Sequence, residues 1–229
     1  MSTVKIAPID NGPYLVDGSR TETVQTNEAA SLLRLEIFSD AVFAIAITLL
    51  TLDLALPASS HDLGGRSLLS AMGHLWPSYL AYVTSFATIL IMWFNHHGFF
   101  RAVKHLDPVL VLTNGFLLLI VAATPFPTRI LAEYINTPAA STACAIYAGY
   151  FLLCNVGFNA LWWSIRYKRR LLKDTVDEAS ARTVSRSVAL GFVLYLMAIG
   201  TALISAVASL IVITGLWIFW AWLAYARSR

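Results

Sequence analysis

The chain has 229 residues, of which 58% are hydrophobic and 13% charged, and its formal net charge is +3. A soluble domain carries about twice that share of charged residues, so the composition excludes an ordinary soluble protein. The small positive excess does not indicate nucleic-acid binding, because no basic cluster is interleaved with exposed aromatic residues.

The first thirty residues differ in character from the rest of the chain. They lack the apolar core of a signal peptide, and they contain Pro8, Gly12 and Pro13, which disfavour regular structure. We therefore predict a flexible cytoplasmic tail over residues 1–31. A single membrane domain is expected over residues 32–227.

Five long apolar blocks follow, each reaching the roughly 20 residues that a helix needs to cross a membrane. The blocks are Leu32–Leu56, Leu75–Phe100, Val109–Leu131, Ala139–Ile165 and Val188–Tyr225. The last block is long enough for two spans, and its small residues near Ser205–Ser209 predict a turn. The predicted fold is an all-α, polytopic membrane protein with six transmembrane helices.

The basic residues orient these spans. With the N-terminus inside, all of the 16 Lys and Arg except Arg66 and Arg129 fall on the cytoplasmic side. The positive-inside rule then predicts that both termini are cytoplasmic. We expect the protein in the plasma or inner membrane of the cell. The basic connection at 166–186 fits either an amphipathic helical extension at the membrane surface or a solvated loop.

The first span has two different faces. A rotation of 100° per residue places Ile45, Leu49 and Leu52 within about 60° of one another, with Thr48 beside Ile45. Asp40 falls on the opposite side, and a carboxylate at membrane depth must face protein or water. The Ile/Leu stripe could simply contact lipid or another helix. Alternatively, the stripes of several subunits could meet at the symmetry axis of an oligomer.

The second span ends in a group of aromatic and histidine residues. Trp93 and His96 share one helix face, whereas the adjacent His96 and His97 diverge by about 100°, which disfavours a metal site. A structural hydrogen bond is favoured for His96 over a ligand role. It can donate to a buried carboxylate or hydroxyl on a neighbouring helix, so we expect it to pair with Asp40, beside Ser39 at the same depth.

These residues carry a resemblance to a known family. The pattern R-x-x-x-F-S-D in the first span, followed by A-I-A-I-T-L-L-T-L, resembles the signature of the transmembrane protein 175 potassium channels. The W-x-x-H of the second span and Asn114 with Pro125-Phe126-Pro127 in the third continue the match. The resemblance covers roughly residues 34–130.

The resemblance implies a potassium-permeable channel that favours potassium over sodium and has no glycine-rich carbonyl filter. Four copies of the chain would form a homotetramer in the bilayer, and the first helix of each would line the pore. The bulky side chains of Ile45, Leu49 and Leu52 would form a hydrophobic constriction, and Thr48 a polar layer linked to selectivity. No cofactor is implied, and no metal beyond the permeating potassium ion.

The same resemblance implies a network that anchors the pore helix. Its members would be Arg34, Phe38, Ser39 and Asp40 of the first span and Trp93 and His96 of the second.

Two other classes of function are weaker. A secondary transporter, the main alternative, would use broken helices, and Pro125 and Pro127 could break the third span, but no second half of the chain mirrors them. A membrane enzyme would need a nucleophile with a base or a metal cage, and no such motif accompanies the histidines.

Cys144 and Cys154 lie about 15 Å apart along one helix, which excludes a disulfide between them.

Overall fold

The computed structural model describes residues 18–54, 67–167 and 171–228, and within these residues the regular structure is helical, with one isolated β-bridge between two connections. A 3-10 turn at Leu50–Asp53 follows the first helix. The helices are α1 (Gly18–Leu49), α2 (Leu68–His74), α3 (Trp76–Arg101), α4 (Pro108–Ala122), α5 (Pro125–Tyr134), α6 (Ala140–Tyr167), α7 (Glu178–Ile204) and α8 (Ala206–Ser228).

Five helical segments are long and apolar enough to cross a membrane. They are Thr26–Leu52, Trp76–Arg101, Pro108–Tyr134, Ala140–Tyr167 and Glu178–Ile204. A shorter apolar segment, Ala206–Trp222, belongs to α8. The chain is therefore a multi-pass membrane protein, and the prediction of an all-α membrane fold is confirmed.

The first helix begins earlier than expected. Because α1 starts at Gly18, residues 18–31 are helical, although we expected them to belong to a flexible tail. The stretch contains no proline, and its Ala, Glu, Gln and Arg residues are compatible with a helix that continues into the span. The rest of the expected tail, residues 1–17, lies outside the described residues, as does the connection 55–66 that contains Arg66.

The third span is broken in the middle, between α4 and α5. Pro125 and Pro127 remove two backbone donors, and Thr124 supplies replacements. Its N–H and its Oγ1 donate to the carbonyl of Val121, at 3.1 and 2.6 Å. Thr128 then donates to Thr124 O at 2.8 Å, and its hydroxyl lies 2.7 Å from that of Ser85 on α3. The break is thus a packed interior feature.

A sharp turn separates α7 from α8, where small residues predicted one. Ser205 adopts an extended conformation, with φ −156° and ψ 123°, between helices that end at Ile204 and begin at Ala206. Ser209 Oγ reaches back across the turn and donates to Ala198 O at 3.1 Å. The hairpin closes tightly because Ala198 and Ala202 are fully buried and carry only a methyl group.

Two connections on the predicted cytoplasmic side are joined to each other. Lys104 N donates to Leu171 O at 2.8 Å, and Lys173 N donates to Ala102 O at 2.9 Å. Asp177 then caps α7, and hydrogen bonds from Ser180 lower the pKa of its carboxyl. Residues 178–186 therefore form a helical extension of α7, whereas residues 171–177 do not, and 168–170 lie outside the described residues.

The centre of the subunit is α6. It packs against α4, α5, α7 and α8, and its buried side chains include Tyr147, Phe151 and Leu161. Cys144 and Cys154 are free, buried thiols on this helix. In contrast, α1 packs mainly on α3 and α4 at the side of the bundle.

Candidate functional site

One face of α1 is buried in its own subunit. Ser39, Phe43, Ala46 and Leu50 recur at helical spacing and are at most 1% exposed. They pack against α3 and α4, and the ring of Phe43 lies 5.2 Å from that of His96. This periodic contact fixes the rotation of α1 about its own axis.

The opposite face of α1 is open in the isolated subunit. Ile45 is 57% exposed, Leu49 39% and Leu52 78%, and Thr48 is exposed between them. The Thr48 hydroxyl donates to Ile45 O at 2.9 Å, so its oxygen lone pairs remain available on the exposed side. We call these four residues the α1 stripe. It presents three bulky apolar side chains and one hydroxyl to whatever lies outside the subunit.

Behind the stripe, Asp40 is tied to α3. Trp93 Nε1 donates to Asp40 Oδ1 at 2.8 Å, and Asp40 is partly buried. A hydrogen bond to a charged acceptor is stronger than one between neutral groups, and more so where water is scarce. The expected direct pairing of Asp40 with His96 is wrong, since the indole of Trp93 occupies that position.

His96 instead joins a chain of hydrogen bonds to Asn114 on α4 and Ser39 on α1. His96 Nε2 lies 2.8 Å from Asn114 Oδ1, and Asn114 Nδ2 donates to Ser39 Oγ at 3.0 Å. The Ser39 hydroxyl donates in turn to Leu35 O at 2.8 Å. Ser39, His96 and Asn114 are all fully buried. Three helices are thus connected at one depth through side chains.

The direction of this chain defines the state of His96. Because Asn114 Oδ1 can only accept, the proton must lie on His96 Nε2. Nδ1 is buried, and among the described residues it has no hydrogen-bond partner. A second proton there would leave a buried N–H unpaired, so this arrangement holds His96 as the neutral Nε2–H tautomer. We call Ser39, Asp40, Trp93, His96 and Asn114 the polar clamp.

A further contact extends the polar clamp toward the N-terminus of α1 and the C-terminus of α3. His97 Nδ1 lies 2.8 Å from Glu36 Oε1, and the two side chains are 40% and 22% exposed. The His97 ring also stacks on that of Trp93, with centroids 6.2 Å apart. Trp93 and His97, one turn apart on α3, therefore hold two acidic residues of α1, Asp40 and Glu36.

The structure does not place all the residues of the expected anchoring network together. Ser39, Asp40, Trp93 and His96 meet, but Arg34 and Phe38 lie on the exposed face of α1, with Phe38 60% exposed. Asn114, which completes the chain, was absent from that expected network. Its signal in the sequence is a lone asparagine in an apolar span, where an amide needs buried partners.

The described residues contain no group of three or more His, Cys, Asp and Glu side chains that could hold a metal ion. The candidate site is therefore the two-sided α1 helix, with the polar clamp inside the subunit and the α1 stripe outside. The fold and this site define a class: a multi-pass helical membrane protein whose first helix is anchored by polar side chains and exposes an apolar surface.

Comparison with known proteins identifies the family within this class. Residues 34–125 match the family model described as endosomal/lysosomal potassium channel TMEM175. The chain is 43% identical over 183 residues to the potassium channel Cha6605_3372 of Chamaesiphon minutus, covering 80% of this chain and 89% of that protein. It is 44% identical over 174 residues to the potassium channel B446_29190 of Streptomyces collinus, covering 76% and 83%.

A solved structure shows the same fold. The crystal structure of a lysosomal potassium-selective channel TMEM175 homolog from Chamaesiphon minutus superposes with a TM-score of 0.78 at 39% identity, covering 85% of this chain and 98% of that one. The chain belongs to the TMEM175 family. These relatives are named channels and not enzymes.

Proposed function

We propose that the chain is one subunit of a homotetrameric, potassium-selective cation channel in the plasma or inner membrane. The observation that carries this proposal is the α1 stripe. Ile45, Leu49 and Leu52 are exposed on the helix that the polar clamp ties to α3 and α4 by side-chain hydrogen bonds. The names of the two bacterial relatives, both potassium channels, support the choice of ion.

The proposed topology has six spans and two cytoplasmic termini. The sixth span is α8, whose apolar segment Ala206–Trp222 is slightly shorter than the others. Basic residues at the ends of α3 and α6, Arg101 and Arg166, support this orientation. Residues 32–227 act as one channel domain.

Four α1 stripes around one axis would form a narrow apolar constriction. Rings of Leu and Ile side chains exclude hydrated ions when they are narrow, and they can gate by dewetting. An ion must then lose part of its water, which is less costly for potassium than for the smaller sodium ion. Four Thr48 hydroxyls, whose lone pairs stay free, would compensate part of that loss.

A secondary transporter is the alternative, because the third span is discontinuous as transporter helices often are. Such breaks bind ions when their freed carbonyls line a cavity. Here Thr124 donates a hydrogen bond to the carbonyl of Val121 and is itself fully buried. That carbonyl therefore has a protein partner, and the break stabilises the interior of the subunit. This observation favours the channel.

The test is the reversal potential of the purified protein in a planar bilayer with potassium on one side and sodium on the other. The proposal expects unitary currents whose reversal potential is displaced from zero, with the potassium side negative, because potassium is the more permeant ion. Saturable flux without unitary currents would identify a transporter. A reversal potential that follows an imposed pH gradient would assign the pore to protons instead.

A further inference from the structure

A groove lies between α6 and α7, apart from the α1 stripe and the polar clamp. It encloses about 420 Å³ and is lined by Asn159, Trp162, Trp163, Arg166, Tyr167 and Ser185. Small-molecule sites typically have volumes of about 300–1,000 Å³, so the groove has the size of a ligand site. Its residues occupy the last two turns of α6 and the first turns of α7.

The outer wall of the groove is aromatic. Trp163 is 55% exposed and Tyr167 67%, and their rings stack with centroids 4.8 Å apart. Tryptophan and tyrosine at a helix end favour the boundary between lipid tails and headgroups. Exposed, stacked rings at this position indicate a surface in contact with lipid.

The inner wall carries a guanidinium group held in place. Arg166 Nη1 donates to Ser185 Oγ at 2.7 Å, and Arg166 Nη2 donates to Glu178 Oε1 at 3.0 Å. Trp162 Nε1 donates to the same Ser185 Oγ at 2.8 Å, which fixes the hydroxyl. These contacts use two of the five N–H groups of an arginine, so others can bind an anion in the groove.

The local charge balance is positive. Glu178 is shared by two arginines, because Arg182 Nε also donates to its Oε1, at 3.3 Å. One carboxylate thus faces two guanidinium groups. In the sequence, Arg166 also begins a stretch, 166–173, in which five of the eight residues are Lys or Arg.

We propose that this groove binds the headgroup of an anionic phospholipid, with its phosphate on Arg166 and its first acyl carbons along Trp163 and Tyr167. The positive charge selects an anionic lipid, and the aromatic wall selects a lipid over a soluble anion. The lipid belongs to the cytoplasmic leaflet if the proposed orientation holds. The site does not depend on the pore, since it shares no residue with α1.

The test measures thermal stabilisation of the purified protein in detergent by dioctanoyl phosphatidylglycerol, with dioctanoyl phosphatidylcholine and inorganic phosphate as comparisons. Phosphatidylglycerol should raise the unfolding temperature by several degrees, and the other two should not. Equal stabilisation by phosphatidylcholine would overturn the charge recognition. Stabilisation by phosphate alone would overturn the lipid assignment in favour of a soluble anion.

Arg166→Gln is the decisive variant, and Arg182→Gln is its matched control. Both remove one positive charge from the same Glu178, but Arg182 is 65% exposed and does not line the groove. The phosphatidylglycerol shift should be lost in Arg166→Gln and kept in Arg182→Gln. Equal shifts in both variants would contradict the proposal. An unchanged shift in Arg166→Gln, together with an altered oligomeric state, would also contradict the proposal. It would indicate that Arg166 contacts a neighbouring subunit instead of a lipid.

A second pair of variants leaves the Arg166 contacts intact, in case Arg166→Gln does not fold. Trp163→Leu should reduce the shift at least twofold. Trp222→Leu is the control, because it removes an indole of similar exposure, 63%, on α8 outside the groove. This variant should not reduce the shift. An equal effect of the two would overturn the role of the aromatic wall. Because the readout is lipid binding, it stays informative whether or not the protein conducts potassium.

Discussion

The first and fourth spans are both long apolar helices, but their surroundings differ. Half of the most apolar window of α6 is buried within the subunit, compared with 22% of that of α1, the lowest share among the five spans. Large apolar side chains pack α6 among four other helices, whereas α1 combines one narrow buried face with the hydrogen bonds of the polar clamp.

This difference separates two ways of holding a helix in a membrane protein. In lipid, apolar contact alone has little preference between protein and hydrocarbon, so close packing or hydrogen bonds must supply specificity. Close packing against several helices suits α6, which acts as the hub of the subunit. Polar contacts on one side suit α1, because they fix its rotation and depth and leave the α1 stripe free.

The largest expected effect comes from breaking the polar clamp at its centre. Asn114→Leu removes the acceptor of His96 and a donor to Ser39, and both are fully buried. The variant should lose about 3 kcal/mol of stability, the upper end for a buried group left unpaired. Unfolding in a denaturing detergent series, together with the oligomeric state on size-exclusion chromatography, would measure it.

Asn95→Leu is the control for this variant. Asn95 also lies in the membrane domain, but its amide donates only to Ile91 O of its own helix, at 2.9 Å. It should lose much less stability than Asn114→Leu. If the two variants lose the same amount of stability, the polar clamp is not what holds α1.

A smaller loss is expected where α6 relies on close packing. A Cβ at Gly191 would overlap Asn155 Nδ2 and lie 2.6 Å from the ring of Trp220, so Gly191→Ala requires these packed side chains to move. It should cost about 2 kcal/mol in the same unfolding assay. Gly200→Ala, on the same helix with nothing within 4 Å, should be neutral. Equal stability of the two would show that this contact can relax.

The smallest effect concerns selectivity at the α1 stripe. Thr48→Ala should reduce the preference for potassium over sodium roughly fivefold while current persists, since one hydrogen-bonding group is worth about 1 kcal/mol. Thr51→Ala is the matched control, because its exposed hydroxyl also bonds the carbonyl three residues earlier, at 2.6 Å. The reversal potential in mixed potassium and sodium measures both. An unaltered value for Thr48→Ala would remove it from the selectivity layer.

Much of the fold could be predicted because each span carries its own hydrophobic signal. The turn at Ser205 followed from small residues, and the break at Pro125 from missing backbone donors. The start of α1 at Gly18 was missed, since polar residues ahead of a span suggest a tail even when they favour helix.

The contacts of the polar clamp were harder to predict, because they depend on how three helices meet. Trp93 and His96 share a face of α3, so periodicity alone cannot say which of them reaches Asp40. Arg34 and Phe38 were assigned to the network through a motif. A rotation of 100° per residue places both within about 60° of Leu52, on the side where the structure has them exposed.

The central claim is that four α1 stripes face one another across a pore. Leu49→Cys in a Cys144→Ala, Cys154→Ala background tests it, because a ring of four thiolates binds Cd²⁺ tightly. Leu119→Cys, on α4 at a position that is 70% exposed and outside the α1 stripe, is the control. The account predicts that low micromolar Cd²⁺ blocks potassium current through Leu49→Cys, reversibly with a chelator, and spares Leu119→Cys. Currents through Leu49→Cys that are as insensitive to Cd²⁺ as those through the control would contradict it.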